Sequence, residues 1–250
     1  MTSIAVTLLS GGLDSTTVTA YAKKRNSRLT ALTFDYGQNH SKEIESAKKI
    51  VSIMGIEHKL IVIPSLTDLA SYSALINPNV FPIPSHTNVN EIGRSIPITY
   101  VPLRNTIFLS LAASFLESKV LQAIEIDGEK SKNLAAHIYM APNAIDYSGY
   151  PDCRPEYFEY MKQSLSLGSK IGTEYDIPIE ISTPIISLSK VEIVRMGMKL
   201  KAPIEYTWSC YKGTESPCNI CDSCILRAKG FEEAGTPDPL LVRLKDKKNA

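Results

Sequence analysis

Long apolar runs are missing from this chain of 250 residues. No segment collects the roughly 18 consecutive apolar residues needed to cross a bilayer, so no membrane association is expected. An excess of one charge is missing too. The 27 basic residues face 26 acidic ones, a net charge of +1. That balance offers no footprint for a phosphate backbone, so direct nucleic-acid binding is not expected. Cysteine is scarce and unevenly placed: four of the five lie between Cys210 and Cys224. That is not the framework of a secreted disulfide domain, and it fits a reducing cytoplasm. The few histidines, His40, His58, His86 and His137, are scattered. No Ser–His–Asp set is visible, so catalysis is expected to rest on positioning and charge stabilisation. No charged segment precedes the first apolar run, which therefore reads as a strand and not as a leader. Internal repeats and low-complexity tracts are also lacking.

What is present is organised around Ser10-Gly11-Gly12-Leu13-Asp14-Ser15-Thr16-Thr17. Ile4 to Leu9 before it is apolar and reads as a strand buried on both faces. Val18, Tyr21 and Ala22 after it recur at helical spacing. A strand–turn–helix junction with two glycines lets the backbone approach a ligand closely. The first N–H groups of the helix have no partners inside it, and the helix dipole favours an anion above them. Neither G-x-x-x-x-G-K-[ST] nor G-x-G-x-x-G is present. The eight residues resemble the PP-loop of the N-type ATP pyrophosphatases. That resemblance implies an enzyme that grips the β- and γ-phosphates, attacks the α-phosphate and leaves AMP on its substrate.

Strands and helices alternate over most of the chain. Ser27–Asp35 predicts a second strand, about twenty residues after the first, as a βαβ unit requires. A helix over Ser41–Met54 ends at Gly55, and a strand over Lys59–Ile63 stops at Pro64. From Tyr72 to Pro102 periodicity dissolves among prolines, and the stretch is read as a lid. Arg104 opens a helix with Phe108, Leu111, Ala112 and Phe115 on its buried face. Gln122–Asn133 either prolongs it or makes a surface excursion. Ala136–Met140 predicts a strand, Glu156 opens a helix, Ile177–Ile181 predicts a short strand, and Ser189 caps a helix that Gly197 interrupts or ends. The expected fold class is α/β, doubly wound, with a mainly parallel sheet. Residues 1–205 would form the nucleotide-binding domain with the lid over 72–102. Residues 206–250 would form a metal-bound appendage on the same domain.

Cys210, Cys218, Cys221 and Cys224 are spaced C-x7-C-x2-C-x2-C. Four thiolates this close can close a tetrahedron around zinc, leaving no position for a catalytic water, so such a zinc is structural. An iron–sulfur centre is the rival. Cys153 stands apart, either a nucleophile helped by Arg154 or a neutral loop thiol.

Five blocks are similar to the QueC family of 7-cyano-7-deazaguanine synthases. They are Ser10–Thr17, Phe34–Gln38, Thr99–Asn105, Asp146–Pro155 and Thr207–Tyr211 with the three following cysteines; the likeness runs from Ile4 to about Gly235. It implies 7-carboxy-7-deazaguanine, ammonia and ATP as substrates, with Mg²⁺ accompanying ATP, and the nitrile of queuosine or archaeosine biosynthesis as product. ATP would lie on Leu9, Ser10, Gly11, Gly12, Leu13, Asp14, Ser15, Thr16, Thr17, Val18 and Thr19, with Phe34 in the adenine pocket or simply in the core. Ser10, Asp14, Ser15 and Arg104 would serve catalysis, Asp14 holding Mg²⁺ or orienting the loop. Arg104, Tyr147, Tyr150, Asp152 and Arg154 would contact the deazapurine and its carboxylate. Lys190 would neutralise phosphate or lie solvated. The alternatives are another adenylating PP-loop enzyme (an amide synthetase or a tRNA-modifying enzyme) and a zinc-bearing RNA-binding module. A homodimer is left open.

Overall fold

Along the first strand the side chains alternate strictly, and this alternation sets the layers. In the structure, a computed structural model describing residues 1–37, 41–77, 79–81, 96–144 and 150–249, β1 spans Thr2–Leu8. Ile4, Val6 and Leu8 enter one core, while Ala5 enters another on the opposite face. It is followed by α1 (Leu13–Lys23), β2 (Arg28–Asp35), α2 (Ser41–Met54) and β3 (Glu57–Val62). Next come α3 (Arg104–Leu121), β4 (Leu134–Tyr139), α4 (Pro155–Leu167), β5 (Ile179–Ser182) and α5 (Lys190–Lys199). Two helices, α6 (Asp222–Ala234) and α7 (Pro239–Asn249), complete the described chain. The five strands form one sheet in the order β3-β2-β1-β4-β5, and every pairing is parallel. Val6 sits between Thr30 of β2 and Ile138 of β4, which fixes the central register.

Helices α3 and α4 cover one face. Phe108, Leu109, Ala112, Ala113, Leu116 and Val120 of α3 join Phe158 of α4 against Ile4, Val6, Ile138 and Ile179. The other face is covered by α1, α2 and α5, through Val18 and Ala22, through Ala47 and Ile50, and through Ile193. Small residues let α1 sit close to the sheet, where the hydroxyls of Thr7 and Thr19 share a 3.0 Å hydrogen bond. Both faces of the sheet are thus buried, as an all-parallel sheet requires.

Several expectations are sharpened. The excursion after α3 is both things at once: a π-helical turn, Gln122–Ile126, prolongs the helix, and a surface loop follows. An 18-residue window within Arg104–Ile126 has a mean hydropathy of 1.4, long and apolar enough to cross a membrane by length and composition alone, although polar and charged residues interrupt it. Here its apolar stripe is spent on the main core. Gly197 does not interrupt α5. The helix runs through it, and a Cβ there would lie 2.7 Å from the Thr17 hydroxyl. Glycine serves there to bring α5 against α1. Ser189 does cap α5, in a reciprocal box with Glu192. Much of the lid lies outside the described residues, but its ends are pinned: Ala74 N donates to Ile98 O at 2.8 Å, and Val101 is buried in the main core.

Candidate active site and cysteine cluster

The strand order reverses between β1 and β4, and an open α/β sheet leaves a crevice beyond the carboxyl ends of its strands at such a point. A cavity of about 280 Å³ lies there, walled by Leu8, Leu9 and Ser10 after β1, Phe34 and Tyr36 at the end of β2, and Met140 to Asn143 after β4. Arg104, Asn105 and Phe108 of α3 close one side, with Tyr150, Cys153 and Tyr211. An adjoining cavity of about 190 Å³ shares Ser10, Asp14, Ser15, Glu43 and Tyr211, and continues past Gly12 to Lys190 and Arg227.

The loop between β1 and α1 is braced from within. Ser10 N donates to Ser15 Oγ at 3.2 Å, Ser10 and Ser15 hydroxyls meet at 3.0 Å, and Gly12 N donates to Ser10 Oγ at 3.3 Å. Ser15 and Thr16 hydroxyls both donate to Gly12 O. Gly11 has φ +93°, and the carbonyl of Glu43 presses on its α-carbon. Gly12 has no such neighbour inside 3.5 Å, so its freedom faces the cavity. Of the residues proposed for ATP, Leu9, Ser10, Asp14, Ser15 and Phe34 line the larger cavity, and Gly12 and Leu13 the smaller. Thr16, Thr17, Val18 and Thr19 are buried in the body of α1. Phe34 is a wall and a core residue together, stacked on Phe108 at 4.1 Å with the planes 4° apart.

Lys190 is not solvated. Its Nζ holds both oxygens of Asp14, at 2.8 and 3.0 Å, in a largely buried pair at the cavity edge. The Asp14 carboxylate is therefore occupied in fixing a cation beside the phosphate loop. Arg104 donates from Nη1 to the Tyr36 hydroxyl at 3.2 Å. Burial works against its charge, and the oxygens of Tyr36, Tyr150 and Asp152 outweigh that, so its pKa lies above the ordinary value. Leu103, just before it, takes a left-handed φ of 53°.

The substrate-binding residues proposed from sequence divide. Arg104 and Tyr150 line the cavity, and Tyr150 is held by a 2.7 Å bond to Thr99. Asp152 is buried behind the wall, where one oxygen accepts from Asn105 N at 3.2 Å and the other, Oδ1, has no partner among the described residues. Burial raises its pKa. Arg154 is exposed at the start of α4. Tyr147 lies outside the described residues, as do His40 and His86. Cys153 is buried and pushed up to about 12 by desolvation and by the neighbouring Asp152, so at neutral pH it is a thiol and not a nucleophile. Cys153→Ala is accordingly expected to keep turnover within about threefold of the parent protein. A loss of 100-fold or more in a steady-state assay, with Tm unchanged, would contradict this.

Sequence reasoning assigned no role to Glu43, Tyr36, Asn105 or Tyr211, all of which line the cavity. Tyr36, Asn105 and Tyr211 fall inside the family-like blocks. Glu43 falls outside them, and its helical position carries no signal by itself.

The cysteine sulfurs of Cys210, Cys218, Cys221 and Cys224 all lie within 4.8 Å of one another. A tetrahedral four-thiolate zinc, with bonds of about 2.3 Å, has sulfur–sulfur edges of about 3.8 Å, so the four donors fit one such ion with little movement. Around them Trp208 and Leu240 make a small core of their own. Arg227 of α6 is buried and holds both oxygens of Asp238, at 2.6 and 2.9 Å, and the Thr207 hydroxyl at 2.8 Å. This ties α6, the entry to α7 and the 207–209 segment together. The same segment reaches the phosphate loop: Trp208 N donates to Gly11 O at 2.9 Å.

A five-stranded parallel sheet with the braced Ser10–Thr17 loop at its reversal point is the architecture of the PP-loop, adenine nucleotide alpha-hydrolase-like fold. Comparison with known proteins narrows this. Residues 4–235 match the family model described as queuosine biosynthesis protein QueC, and the chain belongs to that family. It is 46% identical over 236 residues to a 7-cyano-7-deazaguanine synthase from Thermoplasma acidophilum, covering 94% of this chain and 90% of the relative. The corresponding enzyme of Picrophilus torridus is 48% identical over 236 residues, 94% and 90% of the two chains. That of Trichodesmium erythraeum is 45% identical over 240 residues, 95% and 99%.

Proposed function

We propose that the chain converts 7-carboxy-7-deazaguanine and ammonia into 7-cyano-7-deazaguanine, with ATP consumed in two rounds of adenylation. The observation that carries this reading is the continuity of the phosphate-loop cavity with the cavity walled by Arg104, Asn105 and Tyr150, in a chain whose relatives of that name match it nearly end to end.

The chemistry sets what the walls must do. A carboxylate resists attack because oxide is a prohibitive leaving group. Its oxygen attacks the α-phosphorus of ATP, pyrophosphate leaves, and the acyl adenylate has a good leaving group in AMP. Ammonia displaces AMP to give the amide. In the second round the amide oxygen is adenylated, and loss of AMP with the remaining N–H protons forms the nitrile. The loop N–H groups after Gly11 and the start of α1 hold the departing pyrophosphate, with Lys190, fixed by Asp14, at the edge. Arg104 presents a planar fork suited to a carboxylate or to the phosphate of AMP. Asp152 Oδ1 is the buried acceptor available for an amino or ring N–H of the base. Phosphate charge on the loop would be further neutralised by the Mg²⁺ that accompanies ATP.

Zinc in the four-cysteine cluster is structural, since its four thiolates leave no open position. An iron–sulfur cluster, with several irons between its thiolates, needs a wider cage than sulfurs within 4.8 Å of one another. Residues 1–205 act as the catalytic domain, and 206–250 as an appendage that braces it. A cytoplasmic location fits an enzyme with five free cysteines. An RNA-binding module is not favoured by relatives that align over nearly the whole chain.

The test is direct. Purified protein with the carboxylic acid, ammonium, Mg²⁺ and ATP is expected to release AMP and pyrophosphate and to yield amide, then nitrile, by mass spectrometry. ADP without AMP would exclude adenylation.

A further inference from the structure

Each round of this chemistry releases protons, and something on the cavity wall must accept them. Ammonia bonded to the acyl carbon carries a positive charge until one N–H proton leaves. The adenylated amide loses its two N–H protons before C≡N is complete. Among the described residues no histidine lines the cavity. One of the two carboxylates on its walls, two of its three tyrosines and its cysteine are engaged or neutral. Asp14, from α1, is held by Lys190 of α5 in two hydrogen bonds. Tyr36, at the end of β2, accepts from Arg104 of α3. Tyr150 is bonded to Thr99, and Cys153 is held as a thiol by burial. Arg104 and Arg227 carry no acceptor.

Glu43 remains. Its peptide carbonyl packs on the α-carbon of Gly11, so α2 is seated on the phosphate loop at this residue. Its side chain lines both cavities, at the seam where the nucleotide's phosphates must meet the acid. Among the described residues it is in no ion pair. Tyr211 of the C-terminal segment, Arg104, Asp14 and Tyr36 share the walls with it. We propose that the Glu43 carboxylate is the proton acceptor for amide and nitrile formation. It takes one N–H proton as AMP leaves the acyl adenylate; in the second round it takes one N–H proton of the adenylated amide, gives it up to water, and takes the other as AMP leaves. It is re-ionised to water between steps. The proposal rests on the adenylation reading above. Burial supports it by raising Glu43 to about 7, against the opposing pull of Arg104, the range in which a general base works at neutral pH.

The experiment separates the half-reactions in Glu43→Gln. Pyrophosphate release from ATP and the carboxylic acid, measured without ammonium, is expected to stay within about threefold of the parent protein, because that step moves no proton. Amide and nitrile formation with ammonium is expected to fall about 10²- to 10⁴-fold. The parent protein's activity is expected to drop as pH falls through about 7, where Glu43 takes up its proton, and the variant is expected to lack that limb. Hydroxylamine, a nucleophile whose attack product is far more acidic, is expected to narrow the gap between the two proteins. Glu43→Asp, which keeps the carboxylate, is expected to recover part of the rate and guards against a folding defect in the glutamine variant. Nitrile formation unchanged in Glu43→Gln overturns the proposal. So does an equal loss of pyrophosphate release and nitrile formation, which would mean that Glu43 serves the nucleotide. If the parent protein itself releases no pyrophosphate from the acid, it is the adenylation reading that fails.

Discussion

Gly11→Ala is expected to reduce ATP-dependent turnover at least about 100-fold and to lower stability by a few kcal/mol. Two independent costs meet at this residue. A φ of +93° is open to glycine and unfavourable for alanine. The added Cβ would sit 2.2 Å from Glu43 O and 2.9 Å from Ala47 N, both backbone atoms of α2. Either the phosphate loop or the first turns of a helix anchored by Ala47, Ile50 and Val51 must move. Gly12 supplies the contrast. Its φ of −78° suits any residue, and the nearest heavy atoms to a Cβ are 3.5 and 3.6 Å away. Gly12→Ala is therefore expected to keep its Tm within about 2 °C while weakening ATP binding, because the methyl occupies space left for the nucleotide. Calorimetric ATP titrations with thermal melts on both variants check the pair. Equal Tm losses would show that the two glycines do the same job.

The second large effect is expected from Cys221→Ser. The protein should lose its bound zinc, measured by elemental analysis as a fall from one equivalent to well below one half. Its Tm should drop by more than about 10 °C, because ligand binding to such a cluster is folding free energy for the segment that carries it. The apolar residues around the sulfurs, Trp208 and Leu240, are too few to hold that segment alone. Trp208 N bonds Gly11 O, and Tyr211 lines the cavity, so the Michaelis constant for ATP should rise with the loss of metal. Full metal content in the variant would show that Cys221 is not a ligand.

The sheet was largely legible because each buried strand is a short apolar run with a turn signal at its end, and a parallel sheet covered on both faces needs nothing subtler. β3 shows the limit. It is an edge strand with every side chain at least partly exposed, and it starts two residues before the apolar run and ends one residue short of that run's end. Gly197 was misjudged because helix propensity gives no sight of the neighbouring helix. Its lack of a side chain answers to Thr17, 180 positions earlier, and to Ile204 just beyond the helix. Lys190 was misjudged for the same reason. The Asp14 that claims it is 176 positions earlier. The four cysteines were legible from spacing alone, whereas the ion pair of Arg227 with Asp238 looks like two ordinary surface charges until α6 and α7 fold around it. Glu43 was invisible because a polar residue on an amphipathic helix is the expected background. Its place on the crevice comes from the seating of α2 on the Gly11 backbone, which the sequence of α2 does not announce.

The bond from Trp208 N to Gly11 O joins positions nearly two hundred residues apart. During synthesis the phosphate loop leaves the ribosome long before the extended segment that steadies it. A nascent chain thus carries that loop with one wall missing, and gains a finished one only when the segment around Trp208 has emerged and closed against Gly11.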